Sequence, residues 1–251
     1  MIVVTSILVI ITVAIAAFVV VPRLSPGRVV FNLVPDRPYP FGYKMAWLAI
    51  RTDDTARVLA NLALLDVRSA NWESGLGTIY DDRLGQSHVF VSPPVSGWTF
   101  VAGLSLPAAM GPRFVDKVTP LLTALSQHFP DVQYFFSYPL IDVFAWARAR
   151  DGRLARAFAI TEDGVVMQVG KVTAEERTLG LRRFQLRGVR GRRGDTGGEI
   201  LLYPTEAHVI ALAGAWGLDP TSLDAQPSSP ALGHVGRVPP AWLPERRRMA
   251  A

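Results

Sequence analysis

Two adjacent carboxylate pairs, Asp53-Asp54 and Asp81-Asp82, are the residues whose type best suits acid–base or metal chemistry. Adjacent side chains on a helix diverge, however, and Thr52-Asp53-Asp54 ahead of an apolar-periodic run reads as a helix cap with first-turn charge. The histidines, His88, His128, His208 and His234, are scattered and form no H-E-x-x-H pattern or other ligand spacing. No G-x-S-x-G, P-loop or dinucleotide glycine fingerprint occurs, and Gly75-Leu76-Gly77 is too short to stand for one. Cysteine is absent, which excludes a disulfide framework, a thiolate nucleophile and a thiolate metal site. The sequence therefore predicts no catalytic residue, no metal and no cofactor.

Two groups of residues suit binding instead. Trp72, Trp98 and the loop Ser92-Pro93-Pro94-Val95-Ser96 are placed to line a pocket edged by Arg51 and Glu73. Tryptophan is enriched at binding hot spots, yet on a strand its ordinary role is core packing. The second group is cationic. Seven arginines fall within 177–193: Arg177, Arg182, Arg183, Arg187, Arg190, Arg192 and Arg193, with no acidic residue among them. Setting them aside leaves 19 basic against 21 acidic residues, so the net charge of +5 belongs to one segment of a nearly neutral chain. Clustered arginines bind phosphate, on anionic lipid or on nucleic acid. Nucleic acid is disfavoured because Phe184 is the sole aromatic there to stack on a base. A solvated loop is the plainer alternative.

These residues must be carried by elements. Ile2 to Val21 is an apolar run without a charged side chain, and twenty helical residues span about 30 Å, the thickness of a bilayer's hydrocarbon core. It reads as a transmembrane anchor over 1–22. A cleaved signal peptide fits less well, because no Lys or Arg precedes the run and Phe18-Val19-Val20-Val21 follows the best small-residue site. Arg23, Arg28 and Arg37 lie just C-terminal to it. The positive-inside rule then puts the remaining chain on the cytoplasmic side of an inner membrane, a single-pass topology. Residues 23–42, with five prolines in 22–42, read as an extended linker.

The α+β domain is expected over 43–225. Tyr43–Ile50 reads as a central strand, followed by a helix presenting Val58, Leu59, Leu62 and Leu65, then a short helix over 70–80 weakened by Gly75 and Gly77. Strands at 88–92, 97–103 and 131–138 bracket a helix in which Thr119 caps and Pro120 takes the first position. The resulting order is the split βαβ arrangement of ferredoxin-like folds. Asp151-Gly152 predicts a type I′ hairpin whose paired positions sum to 303, so Trp146 faces Ala157 and large residues oppose small ones. A further turn at 162–164 leads into a strand ending at Val169, and these hairpins extend the sheet. Segment 177–198 is expected as a mobile excursion, followed by a strand at 199–203 and a helix over 205–216. Residues 226–251, rich in Pro, Ser and Gly, read as a largely unstructured tail.

Four stretches, YKMAWLAIRTDD, ANWESGL, VFVSPPVSGWTFVAGLSLP and ALAGAWGLDPTSLD, together resemble a group of bacterial proteins of unknown function, over about 43–224. The resemblance implies no activity and assigns no residue a role. Small bacterial α+β domains include immunity and accessory proteins, an analogy of fold alone. The expectation is a membrane-tethered, non-catalytic domain that binds a protein partner. The alternatives are a hydrolase or other enzyme with dispersed Asp, Glu and Arg near Trp72 and Trp98, and a lipid-surface binder acting through the arginine segment.

Overall fold

The computed structural model describes residues 29–108, 116–162, 164–181, 191–193, 198–200 and 203–243. The chain divides into units 1–31 and 32–251. Of the first, only 29–31 are described, and they hold no helix or strand. The apolar run Ile2 to Val21 lies outside the described residues, among which no helix is long and apolar enough to cross a membrane.

The second unit is α+β, built on one antiparallel sheet. Its strands are β1 (Met45–Arg51), β2 (Leu65–Ala70), β3 (His88–Val91), β4 (Trp98–Ala102), β5 (Val132–Tyr138), β6 (Val143–Arg150), β7 (Arg153–Thr161), β8 (Gly164–Val169) and β11 (Gly233–Arg237). Among the described residues these nine run in the order β2-β11-β3-β4-β1-β5-β6-β7-β8. Strands β9 (Gly191–Arg193) and β10 (Gly198–Ile200) pair separately. The helices are α1 (Thr55–Leu62), α2 (Trp72–Tyr80), α3 (Val118–Ser126), α4 (Ala174–Thr178) and α5 (Glu206–Trp216).

Side chains alternate across a strand, and β1, β4 and β5 are buried at nearly every position, so both faces are covered at the centre of the sheet. One face is mainly aliphatic, with Tyr134 and Phe136 of β5 among the aliphatic side chains. Leu48, Ile50, Val101 and Val132 meet Val58 and Leu62 of α1 and Leu122 and Leu125 of α3. The other is aromatic. Trp47 stacks on Phe135 at 5.2 Å, Trp146 lies 4.4 Å from Phe158, and Trp216 at the end of α5 lies 5.6 Å from Phe135.

The β6–β7 hairpin shows how the two faces are kept apart. Its turn has positive φ at both Asp151 and Gly152, as type I′ requires. The expected register holds only next to that turn, where Arg150 pairs with Arg153 and Ala149 with Leu154. A register shift after Arg148 leaves Ala155 unpaired, a bulge, and moves every later pair by one: Trp146 faces Phe158 and Ala147 faces Ala157. Large residues thus sit with large on the aromatic face. Ala145, Ala147, Ala149, Ala157 and Ala159 make a low surface within the aliphatic core. The expected large-opposite-small pairing is wrong because the sheet segregates side chains by face. Gly170, at φ 75°, lies where an added Cβ would fall 2.2 Å from the Ala155 carbonyl oxygen, so its backbone passes directly over the bulge.

Several expected boundaries also change. Residues 65–70 form strand β2 rather than the end of a helix, because Ala63 in the left-handed region stops α1. In α3 the capping carboxylate is Asp116, which accepts from the N–H groups of Val118 and Thr119 and from the Thr119 hydroxyl. Part of segment 177–198 is ordered as the end of α4 and as the β9–β10 pair.

The linker and tail readings fail most clearly. From Asn32 onward the chain forms a strap bound to the body. Asn32 N–H donates to Ser74, Asp36 pairs with Ala231, and Phe41 N–H donates to the Pro220 carbonyl. Within 226–251, residues 233–237 form β11, hydrogen-bonded to both β2 and β3. Proline and glycine flank these segments without preventing backbone pairing between them. The folded body thus runs from 32 to at least 243, past both edges of the expected domain.

Helix α2 yields a test with two opposite signs. An added Cβ at Gly75 would fall 2.2 Å from the Phe90 ring, whereas at Gly77 it would meet nothing within 4 Å. Gly75→Ala should lower stability by about 1–3 kcal/mol through overpacking. Gly77→Ala should raise it by up to about 1 kcal/mol through helix propensity. Denaturant titration of the two variants reads both.

Candidate functional site

The pocket expected from sequence is divided between two places. Arg51 ends β1 with its guanidinium 5.6 Å above the Trp98 ring, its cross-strand neighbour. Ser96 sits in the β3–β4 turn at φ 48° and donates to Gln226 Oε1 at 3.2 Å. Trp98 itself is buried, with Gly217 so close that an added Cβ would fall 2.6 Å from its ring. Trp72 and Glu73 open α2. There the Trp72 ring is buried edge-on against Phe90 at 5.3 Å. The N–H groups of Trp72 and Glu73 donate to the two Asp36 oxygens at 2.7 and 3.0 Å, a carboxylate on the positive end of the helix. Among the described residues no hydrogen bond or ring contact joins the two groups. Both tryptophans are buried.

The charges that do converge are ones that the sequence pattern did not single out. Bulged pairing puts Arg148 directly opposite Arg156 on the aromatic face, and each has its own carboxylate. Arg148 grips Asp131 through Nε at 3.0 and 3.2 Å, and Arg150 reaches the same carboxylate at 2.8 Å. Arg148 also lies 5.4 Å from the Trp216 ring. Arg156 and Glu176 are 1% and 0% exposed and form a bidentate pair at 2.9–3.0 Å. The remaining capacity is filled: Arg156 donates to the Ala157 and Val169 carbonyls, and Glu176 accepts from Trp146 Nε1 and from Thr173 N–H. Thr173 and Glu176 form a capping box on α4, a T-x-x-E signal legible in the sequence. That Glu176 serves the sheet as well as its own helix was not.

Burial alone would raise the Glu176 carboxyl. The hydrogen bonds from Arg156, Thr173 and Trp146 outweigh it and hold the group below its ordinary value of 4.5. At Asp131, burial is likewise overcome by Arg148 and Arg150, which hold it below 3.8. These are closed pairs, turned inward, and they fix the sheet face to α4 and α5.

The other sequence candidates have local duties. Asp54 Oδ1 accepts from Arg57 N–H as the cap of α1, and Asp81 Oδ1 accepts from Arg83 and Leu84 N–H in a turn. His208 completes the cap of α5, and His88 lies against the Leu84 carbonyl. His128 borders an open cleft of about 440 Å3 with Ser126 and Asp151, where the Ser126 hydroxyl donates to the Thr123 carbonyl. Among the described residues no three His, Asp or Glu side chains gather where a metal would sit. Arg182, Arg183, Arg187 and Arg190 lie outside the described residues, and Arg192 and Arg193 belong to β9.

One end of the sheet groups several exposed apolar side chains. There Tyr43 precedes β1, Leu104 follows β4, and Leu140 and Ile141 cap the β5–β6 turn, all large and exposed. Tyr80 joins them, its hydroxyl donating to the Tyr43 carbonyl at 3.2 Å. The opposite end carries the exposed charges Arg51, Arg150 and Asp151. Compared with known proteins, the chain matches no family model, no curated protein and no solved structure.

The buried pair makes a prediction of magnitude and sign. Glu176→Ala strands a buried guanidinium and should cost about 3–5 kcal/mol. Because Glu176 and Asp131 titrate lower when folded, the stability they add is complete above their ordinary values, 4.5 and 3.8. It is lost as pH falls below those values and through the folded ones. Urea unfolding from pH 7 to pH 3 should show that loss, and Glu176→Ala should show a shallower one.

Proposed function

We propose that this chain is a membrane-tethered, non-catalytic domain that binds a protein partner through the apolar end of its sheet. The observation that carries this reading is the grouping of Tyr43, Tyr80, Leu104, Leu140 and Ile141 at one end of the sheet, with Leu140 72% exposed. Exposed aliphatic side chains grouped with tyrosines have the composition of a protein-binding face. The inward-turned charges support the same reading, since Arg156, Glu176, Asp131 and Arg148 are committed to one another.

Tethering rests on the apolar run Ile2 to Val21, followed by Arg23, Arg28 and Arg37, which favour a cytoplasmic domain at an inner membrane. The order β3-β4-β1-β5, with α1 and α3 sharing the aliphatic face, supports a ferredoxin-like split βαβ at the centre of the sheet. Strands β2, β11 and β6 to β8 would then be additions on its two sides.

A charged side chain at the centre of an apolar interface removes affinity of about 2 kcal/mol or more, roughly thirtyfold. Leu140→Asp with Ile141→Asp should therefore abolish a crosslinked partner that the parent chain forms in its native membranes. The melting temperature should stay unchanged, because both side chains are exposed. A partner that crosslinks equally to parent and variant would contradict the assignment of this end.

A further inference from the structure

The strap over 32–43 has two sides, and only one is spoken for. Asp36, Pro38 and Phe41 turn inward: Asp36 caps α2, while Phe41 lies 5.6 Å from Phe100 and 6.2 Å from Trp47. Leu33, Val34, Arg37 and Tyr39 turn outward, with Leu33 60%, Val34 69% and Tyr39 48% exposed. An extended segment bound this firmly by its inner side has no structural need for three large apolar groups on its outer side.

The preceding chain indicates what covers them. Asn32 stands eleven residues after Val21, the last residue of the apolar run, so at most about 40 Å of extended chain separates them. The strap is thus the part of the folded body nearest the tether along the chain. Hydrogen bonds from Asn32 to Ser74 and from Asn71 to the Asn32 and Val34 carbonyls fix it in place. Its outward composition matches the interfacial zone of a bilayer. Leucine and valine enter the acyl boundary, tyrosine sits at headgroup level, and arginine extends to the phosphates.

We infer that the outer side of the strap, Leu33, Val34, Arg37 and Tyr39, rests in the interface of the bilayer that holds the tether. This inference rests on the tethering reading. It adds a second contact that sets the orientation of the domain, with α2 toward the lipid.

The absence of native cysteine makes the test direct. Val34→Cys, Tyr39→Cys and, as a reference, Leu140→Cys are each labelled with an environment-sensitive fluorophore in the full-length chain. The labelled chains are reconstituted into phosphatidylethanolamine–phosphatidylglycerol vesicles, and each should melt as the parent does. Labels at 34 and 39 should be quenched several-fold more than the label at 140 by a nitroxide placed on the lipid acyl chain, and less by aqueous iodide. If the chain floats with the vesicles but iodide reaches all three labels alike, the strap contact is refuted and the tether stands. If the chain does not float, both fall. Labels at 34 and 39 shielded from both quenchers mean that protein covers the strap, which also overturns the inference.

Discussion

Strand β2 is tied to the rest of the sheet by β11, a strand drawn from the far end of the chain. That pairing fixes one whole corner of the molecule. β11 brings β2 alongside β3, and α2 then lies across β3 and β11 with Trp72 on Phe90. The strap closes on α2 through Asp36, and Asp36 in turn bridges to Ala231, just ahead of β11. Strap, helix and closing strand therefore hold one another. Such long-range pairing assembles late and slowly, since loop-closure entropy is lost before the contacts form.

The central sheet obeys a different constraint, the need to bury two faces with chemically distinct layers. Alanines on β6 and β7 keep one face low, so that α3 can pack closely. The opposite face carries tryptophan and phenylalanine, whose size leaves room beneath α4 and α5 for polar atoms. Arg156 and Glu176 occupy that room, fully hydrogen-bonded. A buried ion pair is weak as a source of stability, since desolvation offsets most of its attraction, but breaking it is costly. In this sheet it locks the short helix α4 to one place.

The local elements were legible where pattern and turn chemistry agreed. The apolar run 43–50, whose strand starts at Met45, the Asp151-Gly152 turn, and the helix between Pro204 and Gly217 all follow from residue type and spacing. The register past the hairpin turn was not legible, because a bulge at Ala155 depends on what packs above and below the sheet. Nor was β11. The sequence Gly233-His234-Val235-Gly236-Arg237 has weak strand propensity, and tertiary pairing on both sides supplies what propensity does not. Its first glycine has a packing reason, since an added Cβ at Gly233 would fall 2.5 Å from the Val91 carbonyl oxygen. The expected pocket residues lie in two places for a related reason. Tryptophans that looked available are core residues, while the exposed apolar end gathers residues from separate turns and helix ends.

Everything at the β2 corner depends on β11 being a true interior strand, and hydrogen exchange on the full-length chain measures that directly. The amides of 233–237 should exchange as slowly as those of β3, with which they pair. Exchange at the rate of an open chain, while β1 and β5 remain protected, would contradict this architecture.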